Sequence, residues 1–520
     1  MQWTWFLAAS PILVVVVLML GFRRSAATAG LAGWCVALVV AGAVFGAGPG
    51  LLVLAQGKAL LFACHVLYVI WMALIFYHTL RHVGVFDAIS ARLPGYVEDP
   101  TIQALLLACA FGGFLEGVAG FGVPQAIVAP LLVAAGYAPI AAAVMASIGE
   151  AWAVTFGGLG NALLAMATAS HRSAADLAPA SATLLGIACL GGALAVLWTA
   201  GGAKGLRRYL VHCLLVVAAI AAVQFGLALT PLFQLAALTA GFAGIVVAIA
   251  AGWWRPATAR STPHSAPGAG AGLMPLWLAL LPYLLLVVIV VLASLVSPLN
   301  QALNAVVIAF QFPEMRTTLG YVTPAGLGRT ISVFGHPGAL LAYATLLSLA
   351  LFAWQGRLTA GLAQTLRAVG RATLTGALPA TVGIISMVAM SITMDHAGMT
   401  LALAQGLSQI AGRAYPLASP FIGALGAFMT GSNVNSNVIF TSLQQTTAQI
   451  LKLDPLVVLA AQTTGGAVGG AFAPAKVILA CSTVGLTGQE GKALRAILLY
   501  GLAILLVVGL VALVTAAGRA

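Results

Sequence analysis

Apolar runs of about 17 residues or more, almost free of charge, recur along the whole chain, and no other feature constrains its fold as strongly. At about 1.5 Å per residue, each is long enough to cross a hydrocarbon core of roughly 30 Å. They lie near 5–22, 28–47, 58–80, 103–136, 138–168, 178–202, 206–227, 232–253, 273–295, 336–354, 372–394, 417–448, 455–484 and 493–516. The runs at 103–136 and 417–448 are broken by polar or helix-disrupting residues. Inside a bilayer every backbone N–H and C=O must be satisfied within the protein, which for runs of this length means helices. The chain therefore reads as an all-α polytopic membrane protein of about 12–14 transmembrane segments. With 62% hydrophobic and 6% charged residues among 520, an ordinary soluble domain is excluded.

The first run is too long for a secretory signal and lacks a small-residue cleavage site, so it reads as a retained helix. A net charge of +12 does not indicate nucleic acid, because the 22 Lys and Arg sit in short loops and form no stripe. They set topology instead: Arg23 and Arg24, Arg81 and Arg92, Lys204, Arg207 and Arg208, Arg255 and Arg260, Arg357, Arg367 and Arg371, and Lys492 and Arg495 mark one face as cytoplasmic. The six cysteines (Cys35, Cys64, Cys109, Cys189, Cys213, Cys481) have no metal-ligand spacing and read as core filler. The segment "RPATARSTPHSAPGAGAG", 255–272, reads as a flexible cytoplasmic linker near the middle of the chain.

The chain matches itself at an offset of 314. Phe114 to Gly117 fall on Phe428 to Gly431, Gly84 on Gly398 and His82 on His396; after a slip of two, Pro139 falls on Pro455 and Gly149 on Gly465. The copies span 58–170 and 372–484. Between and around them lie N-terminal helices at 1–57, intervening helices at 171–254, intervening helices with an external loop at 273–371, and a C-terminal helix at 485–520. Arg81 and Arg92 put the approach to the first broken run in the cytoplasm, whereas the spanning helix after Arg371 puts the approach to the second outside. The expectation is a pair of inverted-topology repeats with re-entrant hairpin helices at 111–127 and 428–442, the arrangement that marks secondary-transporter sites.

The first hairpin, "FGGFLEGVAGFGVPQ", holds five glycines and Pro124 and cannot sustain a regular helix. Irregular backbone at membrane depth is tolerated only where it is buried or lines a wet cavity. Gly117, Gly120 and Gly122 in this hairpin and Thr430, Ser432, Asn433, Asn435, Ser436 and Asn437 in the second are the candidate anion-binding groups, because opposed tips present N–H donors and positive helix ends to one point. Close helix packing is the other reading of the glycines. Of ten acidic residues, Glu116 and Glu150 alone lie away from loops and helix ends. Such residues usually face a cavity or a partner; each is a candidate proton carrier, or else a hydrogen-bonded lock on its hairpin. Lys476 is the basic residue deep in the second copy, a substrate ligand or a snorkelling lysine. His65 and His78 are proton relays or packing residues. No GxSxG, Walker A or HExxH motif and no paired carboxylates at helical spacing are present, so no enzyme, cofactor or metal site is expected.

At "FGGFLEGVAGFGVPQAI" (111–127), "SPFIGALGAFMTGSNVNSNVIFTSLQ" (419–444) and "TTGGAVGGAFAPAKVILACSTVGLTGQE" (463–490) the chain resembles the bacterial lactate permease family, the L-lactate and glycolate permeases, with weaker ordered similarity over most of its length. The resemblance implies a proton symporter of the bacterial inner membrane for small 2-hydroxymonocarboxylates, and brings Thr463 and Thr464 into the candidate binding set. Three positions depart from the family pattern: Asn433 stands where the family has aspartate, Gly470 where it has lysine after TTGGxxG, and Glu150 where it has asparagine. One acid and one base are lost while another acid and base appear nearby, which leads to the expectation that the ionic pair has moved to Glu150 and Lys476.

The reading is therefore a carrier that imports L-lactate, glycolate or a similar monocarboxylate with a proton, its partners being that anion, the proton and the lipid bilayer. Sodium coupling or a different small organic anion is the alternative within the class. An anion channel and a non-transporting anion sensor are the alternatives outside it. Self-association stays open.

Overall fold

A helix closes its own backbone hydrogen bonds, and in the computed structural model of the chain all the apolar runs are helical. The structure describes residues 4–22, 24–118, 122–253, 274–358, 361–486 and 489–517. Gly120 and the expected linker at 255–272 lie outside the described residues. Among the described residues ten helices are long and apolar enough to cross a membrane, and the bent pair Pro139–Ala153 with Gly157–Ser170 makes an eleventh. The tally is smaller than the number of apolar runs for local reasons. Helix Ala174–Ala228 carries two runs joined at Gly202, whose φ of 58° and ψ of −155° belong to no helix. Thr4–Met19 is too short to span, and the run at 417–448 is split into Tyr415–Thr430 and Asn433–Ile450, neither of which counts as a span.

The pattern of exposure suits a lipid environment: large apolar residues such as Trp354, Val514 and Val53 are 84%, 73% and 71% exposed on the outside of the bundle. The interior belongs to the irregular segments. Pro455–Thr483 and Pro100–Val118 are 94% and 89% buried over their most apolar windows, against 28% for Ala26–Ala43 and 33% for Ala174–Ala228. The segments that carry the hairpin and the last break are thus shielded from lipid by the helices around them, as unsatisfied backbone requires.

Element order repeats along the chain. Pro49–His82 and Leu362–His396 each end in histidine and pass through a left-handed glycine, Gly84 (φ 81°) and Gly398 (φ 80°), into a shorter helix, Val85–Ser90 and Met399–Ala411. Each is followed by a hairpin: Gly112–Val118 with Val123–Ala134, and Tyr415–Thr430 with Asn433–Ile450. A proline-started helix that breaks then completes each set, Pro139–Gly149 with Gly157–Ser170 and Pro455–Ala471 with Pro474–Thr483.

The hairpins open at opposite ends of the broken span at 139–170. Tyr137, just before that span, donates to the Pro100 carbonyl at the base of the first hairpin (2.7 Å). Ser442 on the second hairpin donates to the Ala169 carbonyl (3.0 Å), and Arg172 donates to Gln445 (3.1 Å).

The external loop expected within 273–371 adds one feature to the all-α reading. Its strands pair as a single nested antiparallel ladder, Val307 with Ser332, Gln311 with Leu327 and Met315 with Thr323. The ladder lies over helix ends: Thr318 N–H donates to the Gly46 carbonyl (2.8 Å) and Tyr68 O–H to that of Val333 (3.0 Å).

Glycine lets the inner helices touch backbone to backbone. A Cβ on Gly465 would lie 1.9 Å from the Pro420 carbonyl oxygen, and one on Gly469 would lie 2.4 Å from Ala424. Small residues are the means by which helices approach in lipid, where no hydrophobic effect drives them together. We expect Gly465→Val to lower the thermal unfolding temperature of the purified protein, by an amount at or above the roughly 1–3 kcal/mol of ordinary overpacking. Gly376→Ala, facing open space on a helix, should leave that temperature unchanged or slightly raised. Equal behaviour of the two variants in a melting experiment would contradict this packing.

Candidate functional site

Three breaks in the helices meet at one place. The first hairpin turns through Gly122 (φ 86°) and the second through Gly431 (φ 72°), backbone that a residue without Cβ adopts freely. The third break lies in the bent span, where Gly158, Leu159 and Gly160 have φ of 53°, 57° and 75°. For Leu159 this left-handed conformation costs about 1–2 kcal/mol, held by a fully buried side chain. Such local strain clusters at functional sites.

Between the breaks is a cavity of about 50 Å³. One water needs roughly 10–15 Å³ by the same measure, so the space suits a solute of a few non-hydrogen atoms. Glu116 comes from the first hairpin, Gly157, Gly158 and Asn161 from the bent span, Gly431, Ser432 and Asn433 from the second tip, and Lys476 from the helix after the last break. Val69, Ile70 and Ala73 of Pro49–His82 form an apolar wall. Glu116 is 3% and Lys476 7% exposed, which makes this the point where an acid and a base share a buried space.

Behind the second tip, Thr463 is the hub of a polar network. Its hydroxyl oxygen is 3.1 Å from that of Thr155 and accepts from Asn433 Nδ2 (3.3 Å) and Asn437 Nδ2 (2.9 Å). Asn433 Nδ2 also reaches the Thr463 carbonyl (3.1 Å), and Asn437 Nδ2 the Ala162 carbonyl (2.9 Å). The network locks the second hairpin to the bent span. On its cavity side Asn433 Oδ1, Asn161 Oδ1 and Glu116 Oε2 are buried without a hydrogen-bond partner, capacity left for something that enters.

Glu150 sits elsewhere than expected. It caps Pro139–Gly149, is fully buried and does not line the cavity. Gln125 of the first hairpin donates to its Oε1. The expected Glu150–Lys476 ion pair is not formed, since among the described residues the sole ion pair is Arg316–Glu314 on the exposed ladder. Glu150 instead lies beside Glu116, with Lys476 as a charged neighbour. Spacing hid this pair, because the two glutamates lie 34 positions apart and meet through the hairpin fold.

The remaining candidates divide. Ser432 lines the cavity and caps Asn433–Ile450, its hydroxyl accepting from Asn435 N–H (3.4 Å). Gly122 touches the stem of Lys476, whose Cγ is 3.6 Å from the place of a Cβ there. Gly117 packs against the backbone of Leu238, and Ser436 donates to the Gly423 carbonyl (2.7 Å), so both hold helices together. Thr430 braces the second tip through Gly426 and Ser432. Asn435 and Thr464 are buried and stand outside the cavity wall. Gly157, Gly158 and Asn161 were missed by sequence reasoning; the glycine triplet of "FGGLGN" beside Glu150 was the signal. The ammonium of Lys476 lies 3.9 Å from where a Cβ at Gly470 would be, so the departure at 470 leaves the room it occupies.

A multi-pass helical membrane protein whose broken helices close on one small polar cavity is a transporter rather than an enzyme. The family model described as L-lactate permease matches residues 4–517, and the chain belongs to that family. It is 27% identical to the glycolate permease GlcA of Escherichia coli K12 over 484 residues, covering 87% of this chain and 84% of that protein. It is also 27% identical to the L-lactate permease of Bacillus subtilis 168 over 529 residues, covering 94% and 91%. Among solved structures, the YdaH transporter of Alcanivorax borkumensis gives a TM-score of 0.47 at 14% identity over 88% of this chain and 86% of its own, a loose likeness of path.

Thr463→Val keeps the volume of the hub and removes its hydroxyl, which leaves one Asn437 N–H without its acceptor while Asn433 keeps the Thr155 hydroxyl and the Thr463 carbonyl. The expected cost is about 1–3 kcal/mol per group left unpaired, read as a lowered unfolding temperature of the purified protein. A melting temperature equal to that of the parent would contradict the hub role.

Proposed function

We propose that the protein is a secondary carrier that imports a small 2-hydroxymonocarboxylate, of the L-lactate or glycolate kind, together with a proton across the bacterial inner membrane. The observation that carries this reading is the shared cavity: Lys476 and the Glu116 end of a carboxyl pair face one small space at the meeting of two hairpin tips and a bent span. Membership of the L-lactate permease family and similarity to a named glycolate permease support the substrate class.

Lys476 and the donors of the second tip, Ser432 and the backbone after Gly431, hold the carboxylate of the substrate. Asn161 and Asn433, with unpaired amide oxygens, accept from its hydroxyl. In the empty site Lys476 balances a carboxyl pair that keeps one proton. When the anion takes the lysine, a second proton on the pair restores neutrality, so substrate and proton enter together. A charge moved across the membrane is worth about 2.3 kcal/mol per 100 mV, and a neutral load removes that opposition to uptake. The hairpins opening at opposite ends of the bent span support the inverted-repeat reading, in which one repeat rocks against the other around a fixed site.

Uptake of labelled L-lactate into sodium-free proteoliposomes tests this. One proton per monoanion predicts accumulation of about ten-fold for each unit of inward pH gradient, since one unit is about 1.4 kcal/mol, and its collapse on adding an uncoupler. Glu116→Gln should abolish accumulation while exchange of internal for external substrate persists, and Lys476→Met should lose both. Uptake that needs sodium, or that equilibrates without accumulation, would overturn the proton symport.

A further inference from the structure

Outside the cavity a second group of polar side chains has no role in this reading. Arg329, in the extended stretch between the strands Gly326–Leu327 and Ile331–Ser332, is half-buried, and its Nη2 is 3.1 Å from His65 Nε2. His65 Nδ1 is 3.0 Å from His336 Nε2, and His336 Nδ1 accepts from Gly338 N–H (3.2 Å) to cap the helix Pro337–Trp354. His65 and His336 are 5% and 3% exposed.

This row holds one proton too many. Arginine is always a donor, so His65 Nε2 must accept, which puts the proton of a neutral His65 on Nδ1. Gly338 N–H is also a donor, so His336 Nδ1 must accept, which puts its proton on Nε2. The two ring protons then face each other across the 3.0 Å contact. Protonating either ring makes the conflict worse, and burial beside Arg329 holds His336 down at about 4, hence neutral at pH 7. The row lacks an acceptor. The guanidinium lacks one too: Arg329 Nε is buried without a partner, and among the described residues no carboxylate lies within ion-pair distance of it. The other charged groups around it are also cationic or engaged. Lys58 lies 3.2 Å from His396 and over the Phe312 ring, His171 is near both Lys58 and Arg329, and Asp395 is held by Thr400.

We propose that Arg329 and His65 form an outer binding site for a small carboxylate. One carboxylate oxygen takes the free Nε–H of Arg329 and the other its Nη2–H, the bidentate geometry that favours arginine for this ligand. His65 Nε2, released from the arginine, takes up the ring proton and donates it to the anion, while Nδ1 becomes the acceptor for His336 Nε2–H. Every member of the row is then satisfied. His65 is one helical turn, about 6 Å, from Val69 on the cavity wall, on the side of the ladder that carries Arg329. That the bound anion is cargo moving inward rests on the transport reading; the site itself does not.

The tautomer of His65 reports the event. In nanodiscs of ¹⁵N-histidine-labelled protein at pH 7, adding potassium acetate or L-lactate should convert His65 from the Nδ1–H to the Nε2–H form, its signal being identified by loss in His65→Asn. The response should persist in Lys476→Met, where the inner site is disabled, and vanish in Arg329→Gln. Should that variant fail to fold, Arg329→Lys keeps the charge but loses the bidentate fork, and should weaken the apparent acetate affinity about ten-fold. A parent protein whose His65 does not respond, a response abolished by Lys476→Met, or one untouched at Arg329 would each overturn the outer site. Acetate reports this site even if L-lactate proves not to be carried, so the two readings fail separately.

Discussion

An unpaired backbone amide or carbonyl inside a bilayer costs several kcal/mol, and the arrangement of this protein follows from that constraint. A site for a small anion needs exposed backbone donors and irregular turns, which lipid forbids. The chain resolves the conflict by position. Regular helices such as Ala26–Ala43 and Leu276–Leu295 stand toward lipid, and the three broken segments stand inside them, where strained or polar backbone is either paired or turned to the cavity. Glycine supplies the tips, and glycine again, at Gly465 and Gly469, lets the inner helices close tightly enough to exclude lipid.

Within that frame the chemistry is carried by very few charges. Glu116 joins the wall of the cavity to Glu150 behind it, and Gln125 fixes Glu150 to the first hairpin. Glu150 is thus tied into the hairpin packing, while Glu116 alone of the two faces the cavity. Lys476 supplies the opposite charge to that cavity from the helix after the last break.

Much of this was legible in the chain. The spans followed from apolar length, the hairpins from "GFG" and "TGSN", and Glu116, Asn433 and Lys476, which line one cavity, stood out as polar groups in an apolar background. What could not be read was pairing. Glu150 was matched to Lys476 by charge alone, whereas side-chain direction around the bend gave it to Glu116. Gly117 and Ser436, which looked like ligands beside a tip, point into helix contacts instead. The left-handed Leu159 left no trace, because a leucine in an apolar run announces nothing about its backbone. The ladder within 307–332 escaped because its strands are only two residues long.

The central claim is that the two hairpin tips meet at one substrate cavity and are reached from opposite sides. With the six native cysteines replaced, single cysteines at Ser432 and Gly122 can be labelled with an impermeant thiol reagent in sealed vesicles of each orientation. The account predicts that each position is labelled from one side at a time as the carrier is biased outward or inward, and that L-lactate protects both. Simultaneous labelling of one position from both sides would mean a channel, and labelling that L-lactate leaves unchanged at both tips would mean that the cavity is not where the substrate binds.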